Sequence, residues 1–246
     1  MNFLVCISRT PDTTSKITFE ADSRKLKEDG LVFILNPYDE WYALVKAIEL
    51  KEKFGGQVDV IHVGNSNAEV VMRKALAIGA DAAFRIDIEP ESSWEVAKYI
   101  SDFAKTKAYD LILLGKETID HNGSETGAMV AEFMDLPYIS YCNKLDIDGT
   151  KATIAREIEG GTETSEVNLP FVLSAAKGLA EQRIPNMKGI MDAKKKPLDI
   201  IAVDKLGSDL ELVRFELPPV KSGVKMLAVD DMDALIKILH EEAKVI

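Results

Sequence analysis

The chain is poor in the features that announce most chemistries. Its 246 residues hold two cysteines, Cys6 and Cys142, with no CxxC pair. That leaves no disulfide framework and no thiolate zinc site. Both cysteines sit in apolar, strand-like contexts and read as buried reduced thiols. The three histidines, His62, His121 and His240, share no ligand spacing with one another or with cysteine, so no metal site is expected. No GxSxG elbow, no GxxxxGK[ST] loop and no GxGxxG after a strand occurs, which removes the ordinary hydrolase, P-loop and dinucleotide signatures. No apolar run approaches the roughly 18 residues of a membrane span. The start, MNFLVCISRT, lacks a basic segment leading into a long apolar one, so it reads as a first strand and not as a signal peptide. Positive charge is also short: 30 Lys and Arg stand against 41 Asp and Glu, a net charge of −11. A nucleic-acid binder normally shows a basic face, so that class is not expected.

What is present is an alternation. NFLVCIS reads as a strand. Residues 15–35 read as two strands, KITFE and LVFIL, around a turn at Glu28, Asp29 and Gly30. In NPYDEWYALVKAIELKEKFGG, Asn36 suits an N-cap and Pro37 the first helical position. Asp39 and Glu40 then face the helix dipole, Trp41, Leu44, Val45 and Ile48 form a stripe, and Gly55 and Gly56 end the helix. Strands follow at 58–64, 82–88 and 110–115, with helices at 68–80, 92–108 and 124–134. This rhythm predicts an α/β fold with a mostly parallel sheet and helices on both faces. After Pro137 the pattern turns to strands at 138–147, 151–158 and 163–176. Residues 177–191 read as an exposed loop and Lys194–Lys196 as the solvated end of a short helix. PLDIIAV is a further strand, residues 206–225 a linker or wrapping arm, and the tail from Asp230 an amphipathic helix.

In parallel sheets, ligands bind beyond the carboxyl ends of the strands. Polar turns meet there: Cys6 to Arg9, Asn36, Gly64 with Asn65, and residues 115–127. In the last, Asn122, Gly123, Ser124 and Thr126 sit where a strand becomes a helix. Free N–H groups and hydroxyls at such a place suit a phosphate, and they equally suit a ligand-free cap.

The chain resembles the β subunit of electron-transferring flavoprotein over nearly its full length. NPYDEWYALVKAIELKEK, MRKALAIGAD, DLILLGKETID, AREIEGG and IMDAKKK carry the likeness, in that order. The resemblance implies a Rossmann-like, adenine-nucleotide-binding domain at 1–204 and a C-terminal arm and helix at 205–246 that packs on an α subunit. It implies an electron carrier and no catalytic residues. FAD is held mainly by the α subunit, and AMP lies in this chain at Cys6, Asn36, Pro37, Tyr38, Asp39, Asn65, Gly115, Asp120, His121, Asn122, Gly123, Ser124, Glu125 and Thr126. Glu157 reaches toward the flavin region of the α subunit. A recognition loop at about 178–192, with Arg183, Met187 and Ile190, docks flavin dehydrogenases such as acyl-CoA dehydrogenases. A quinone oxidoreductase takes the electrons onward, with no insertion of this chain into the membrane. The setting is the cytoplasm of a bacterium or the mitochondrial matrix.

The likeness has departures. Ser8 stands where many members have lysine, Gln182 where many have proline, and Ser165 interrupts an apolar strand position. TPDT and NPYDE resemble the branch that binds a second FAD in the β subunit and bifurcates electrons, whereas SETGAM resembles the AMP branch. AMP is the expectation, and a second FAD is the alternative. A stand-alone nucleotide sensor on the same architecture is a further reading.

Overall fold

The computed structural model describes residues 1–207, 210–221 and 223–246. Its strands are β1 (Asn2–Cys6), β2 (Arg9–Pro11), β3 (Phe33–Leu35), β4 (Gln57–Val63), β5 (Ala82–Ile86), β6 (Leu111–Gly115), β7 (Tyr138–Asp148), β8 (Lys151–Ile158), β9 (Gly161–Asn168), β10 (Phe171–Ala175) and β11 (Leu198–Ile201). Its helices are α1 (Asp39–Phe54), α2 (Glu69–Ile78), α3 (Ser93–Ala104), α4 (Thr126–Met134), α5 (Met187–Ala193) and α6 (Met232–Lys237), the last running on into a π-helical turn, Ile238–Ala243. No described helix is long and apolar enough to cross a membrane.

Nine strands form one sheet in the order β11-β5-β4-β1-β6-β10-β7-β8-β9. Pairing is parallel from β11 through to β7 and antiparallel across β7, β8 and β9. The alternation of β1 divides the core. Phe3 and Val5 pack with Leu44, Ile48, Met72 and Leu76 of α1 and α2 on one face. Leu4 and Cys6 pack with Ile100, Phe103 and Val130 of α3 and α4 on the other. Each such side chain stabilises the fold by about 1.5–3 kcal/mol when fully buried.

At the amino-terminal end of the sheet, polar groups close the structure. Asp59 is 3% exposed. It accepts from Gln57 at 2.6 Å, Lys107 at 3.0 Å and Tyr109 at 2.7 Å, and Lys107 also lies 3.7 Å above the Phe84 ring. A buried carboxylate with three donors is satisfied, and this end of the molecule is structural.

Several local expectations are corrected. The partner of β3 is β2, antiparallel, and not residues 16–20. KITFE contributes only the bridge between Phe19 and Leu26. The expected strand 163–176 is two strands, β9 and β10, broken at Leu169-Pro170. Proline has no N–H to continue a ladder, and the peptide bond before it is cis. The loop 177–191 ends in α5, whose cap is Asn186, accepting from Gly189 N–H at 2.8 Å. Lys196 is not solvated: its ammonium donates to the carbonyls of Leu76 and Ala80 at 2.9 and 2.6 Å.

Candidate functional site

The chain runs outward from β1 to β4 and β5, then returns to place β6 on the other side of β1. The strand order therefore reverses between β1 and β6. At such a point neighbouring connections part and leave a crevice at the carboxyl ends of the strands. The turns after β1 and β6 and the start of α1 line it.

Gly115 ends β6. A Cβ there would come within 2.8 Å of Glu40 Cγ and 2.9 Å of Glu40 N. Only glycine lets the first turn of α1 rest on the strand end. Asn36 is fully buried and is not the helix cap, contrary to expectation. Its amide donates to Glu117 O at 2.9 Å and accepts from Ile119 N at 3.3 Å, so it holds the turn after β6. Pro37 and Tyr38 precede the helix, which begins at Asp39. Tyr38, Asp39, Tyr42, Lys116, Glu117 and Lys177 line a hollow of about 200 Å³ beside this junction.

The turn itself carries two residues of left-handed backbone. Asn122 and Ser124 both have left-handed backbone, φ 50° and 55°. Asn122 N donates to Thr118 O at 2.9 Å, and His121 N to Thr118 Oγ1 at 3.3 Å. Among the described residues, the N–H groups of Gly123, Ser124 and Glu125 find no protein acceptor. Added at Gly123, a Cβ would meet nothing closer than Glu125 Oε1 at 3.7 Å, so the backbone there is open. Free N–H groups ahead of α4 fit a phosphate. The surroundings are acidic, however. Ser124 Oγ donates to Glu117 at 3.1 Å, and Glu117 pairs with Lys116 at 3.1 Å.

Asp39 and Glu40 read from sequence as acids in the first turn of a helix. Both are buried, at 6% and 4% exposure. Burial raises Asp39 to about 6; Lys116 opposes the shift and Glu117 adds to it. Burial raises Glu40 to about 8, its bonds from Ser8 pull it back, and Asp120 and Asp39 push it further. Cys6 is buried in the core on the α3 and α4 face, its thiol pushed up by burial and by Glu40.

Asn36 to Asp39, Gly115 and residues 120–126 thus gather at one crevice, while Cys6 lies in the core behind it. Asn65 stands one strand away, after β4, where it accepts from Asn67 N at 3.0 Å and donates to Glu89 at 2.8 Å. Glu157 lies apart, exposed on β8 near the hairpin into β9. Sequence reasoning missed Glu40 as a buried group, because an acid at a helix start carries no mark of what covers it. The close packing at Gly115 was the one available signal.

The segment after β10 grips α1. Arg183 makes two bonds to Glu52, at 2.7 and 2.8 Å, and its carbonyl accepts from Trp41 Nε1 at 3.2 Å. Gln182 donates to Pro37 O. Arg183 is therefore an internal brace. α5 is fastened to α2 by Arg73, which donates to the carbonyls of Ala193 and Lys196 at 2.8 and 2.7 Å. Held this way, the segment leaves Ile184, Met187 and Met191 in solvent, with Met187 75% exposed and Ile190 partly so.

From about residue 205 the chain leaves the sheet. Tyr99 OH donates to Asp204 O at 3.0 Å and accepts from Leu206 N at 2.9 Å, which fixes the point of departure. Beyond it, Phe215 stacks on Phe19 at 5.0 Å, but Val220, Val224, Met226 and Val229 are all more than four-fifths exposed. α6 buries none of its residues.

A model of the electron transfer flavoprotein domain matches residues 24–206. The chain is 38% identical to the electron transfer flavoprotein subunit beta of Bacillus subtilis (strain 168), over all of both chains. It is 36% identical to the subunit of that name from Thermoanaerobacterium thermosaccharolyticum, over 93% of this chain and 87% of the relative. It is 33% identical to the human one, over 96% of this chain and 97% of the relative.

Proposed function

The chain belongs to the electron transfer flavoprotein family, as one of its β subunits, and from that premise we propose that it carries a structural AMP at the β1–β6 crevice within a heterodimer. It is an electron carrier subunit and not an enzyme. The flavin performs the redox chemistry, and this chain supplies position and electrostatics. FAD belongs mainly to the α subunit. Electrons arrive from flavin dehydrogenases, such as acyl-CoA dehydrogenases, and leave toward a quinone oxidoreductase.

The observation that carries the nucleotide reading is the turn at Gly123, Ser124 and Glu125, whose N–H groups face an open backbone ahead of α4. The turn SETGAM resembles the AMP branch of the family, which favours AMP over a second FAD. Ser124→Asp is expected to lower retained nucleotide at least about tenfold, since a fixed carboxylate competes with the phosphate. Stoichiometric nucleotide in the purified variant contradicts the site.

Two surfaces complete the reading. Met187, with Ile190 and Ile184, forms a flexible apolar knob on a braced segment, suited to a pocket on a dehydrogenase. The apolar arm beyond residue 205 and α6 wrap the α subunit, and Glu157 points to its flavin region.

A further inference from the structure

Asp39 is the buried acid of the crevice that nothing answers. It is 6% exposed, yet among the described residues its carboxylate takes no hydrogen bond and makes no ion pair. Glu40 beside it takes two bonds from Ser8. Lys116 acts on Asp39 by charge but pairs with Glu117, at 3.1 Å. Among the described residues, the one sealed side-chain oxygen or nitrogen without a partner is Glu95 Oε1. The Asp39 oxygens are therefore not sealed. They open on the hollow of about 200 Å³ that Asp39 lines with Tyr38, Tyr42, Lys116, Glu117 and Asn122. An acid kept at a helix start for the dipole alone would stay in water. Burying a carboxylate without donors costs free energy, and a guest with donors offsets that cost.

The hollow adjoins the open turn. Asn122 lines it and is followed at once by Gly123, and Glu117, which also lines it, accepts from Ser124 Oγ at 3.1 Å. Lys116 and Lys177 border the same space, so a cationic guest at Asp39 would meet two ammonium groups. Neutral hydroxyls meet the carboxylate without that repulsion. A vicinal diol fits best, since its two O–H groups can each reach one oxygen of a single carboxylate. An acid that accepts from ribose hydroxyls is a general device of nucleotide sites at strand ends. Tyr38 and Tyr42 add ring surface for a sugar or a base to lie against.

We propose that Asp39 is the ribose-binding residue of this site, its two oxygens accepting from the vicinal hydroxyls of a nucleotide whose phosphate lies on the turn at Gly123, Ser124 and Glu125. The inference rests on the nucleotide reading above and narrows it to ribonucleotides. Removing either hydroxyl from the guest leaves a buried carboxylate oxygen bare, so each deletion weakens binding by about tenfold or more. A purely structural Asp39 would affect every nucleotide alike and would leave no preference for ribose.

The test uses the full chain assembled with its α subunit. The complex is depleted of nucleotide in mild denaturant, restored, and loaded from an equimolar mixture of AMP, 2′-deoxy-AMP and 3′-deoxy-AMP. The bound nucleotides are then counted by mass spectrometry. Wild type should hold AMP over each deoxy form by about tenfold or more. Asp39→Ala should hold all three alike. Asp39→Asn, which keeps the size and one acceptor oxygen, should fall between. Equal loading of the three by wild type overturns this inference alone. So does a wild-type preference for AMP that survives in Asp39→Ala or, where that variant does not assemble, in Asp39→Asn. Failure of wild type to bind any of the three, or inorganic phosphate, overturns it together with the nucleotide reading.

Discussion

The crevice at β1 and β6 and the arm beyond residue 205 stand at opposite extremes of self-sufficiency. At the crevice, apart from the N–H groups of Gly123, Ser124 and Glu125 and the Asp39 carboxylate, the polar groups named above are answered from within the chain. Asn36 braces the turn, Gly115 admits α1, and even the buried Glu40 takes two bonds from Ser8. In the arm, Val220 and Val229 are 96% and 99% exposed and α6 buries nothing. A folded chain rarely leaves so much apolar surface in one stretch without a partner to cover it. The crevice is thus largely shaped from within the chain, whereas the arm leaves apolar surface for a partner to cover. The segment from Gln182 to Ala193 falls between these extremes. Arg183, Trp41 and Arg73 hold its backbone, yet Met187 is left in solvent.

The widest gap between the two regions should follow from removing residues 210–246. Loss of several apolar anchors, at roughly 2 kcal/mol each, should weaken α-subunit binding at least ~100-fold. The thermal unfolding of the remaining domain should barely move. Retained co-purification at wild-type yield breaks the contrast. Next come single truncations on either side of it. Leu111→Ala, in the centre of the sheet, should cost about 2–5 kcal/mol of stability by denaturant titration. Val220→Ala should stay within about 0.5 kcal/mol in the isolated chain. A comparable loss at Val220 would mean that the arm is covered from within. The smallest structural effect is expected at Met187→Ala: unchanged stability and flavin content, but electron transfer from a partner dehydrogenase slowed by about tenfold or more. Unchanged transfer across a range of dehydrogenase concentrations removes Met187 from the docking surface.

Much of the sheet is legible in the chain because its signals are local. Parallel strands buried on both faces read as apolar runs such as DLILLG, and Ser92 before α3 caps where its residue type says it should, accepting from Glu95 N at 3.2 Å. What was not legible depends on distant partners. Asn36 has the chemistry of a cap, but residues 117 and 119 claim both ends of its amide. KITFE alternates like a strand, yet β2 takes its place beside β3. α5 is short and rests on α2, where a Cβ at Gly189 would meet Ala77 O at 2.4 Å, so tertiary contact and not periodicity makes it a helix. The crevice shows the same division. The glycine and hydroxyl turn could be seen in the sequence, but the burial of Asp39 and Glu40 follows from the packing of α1 on β6. No spacing within NPYDE reports that.

The most direct measurement is to purify the chain with its α subunit, denature the complex and identify the released nucleotides by absorbance and mass spectrometry. One FAD and one AMP per heterodimer is the expected result, with the AMP lost in Ser124→Asp. Two FAD and no AMP would contradict it, placing a flavin in the β1–β6 crevice of this chain.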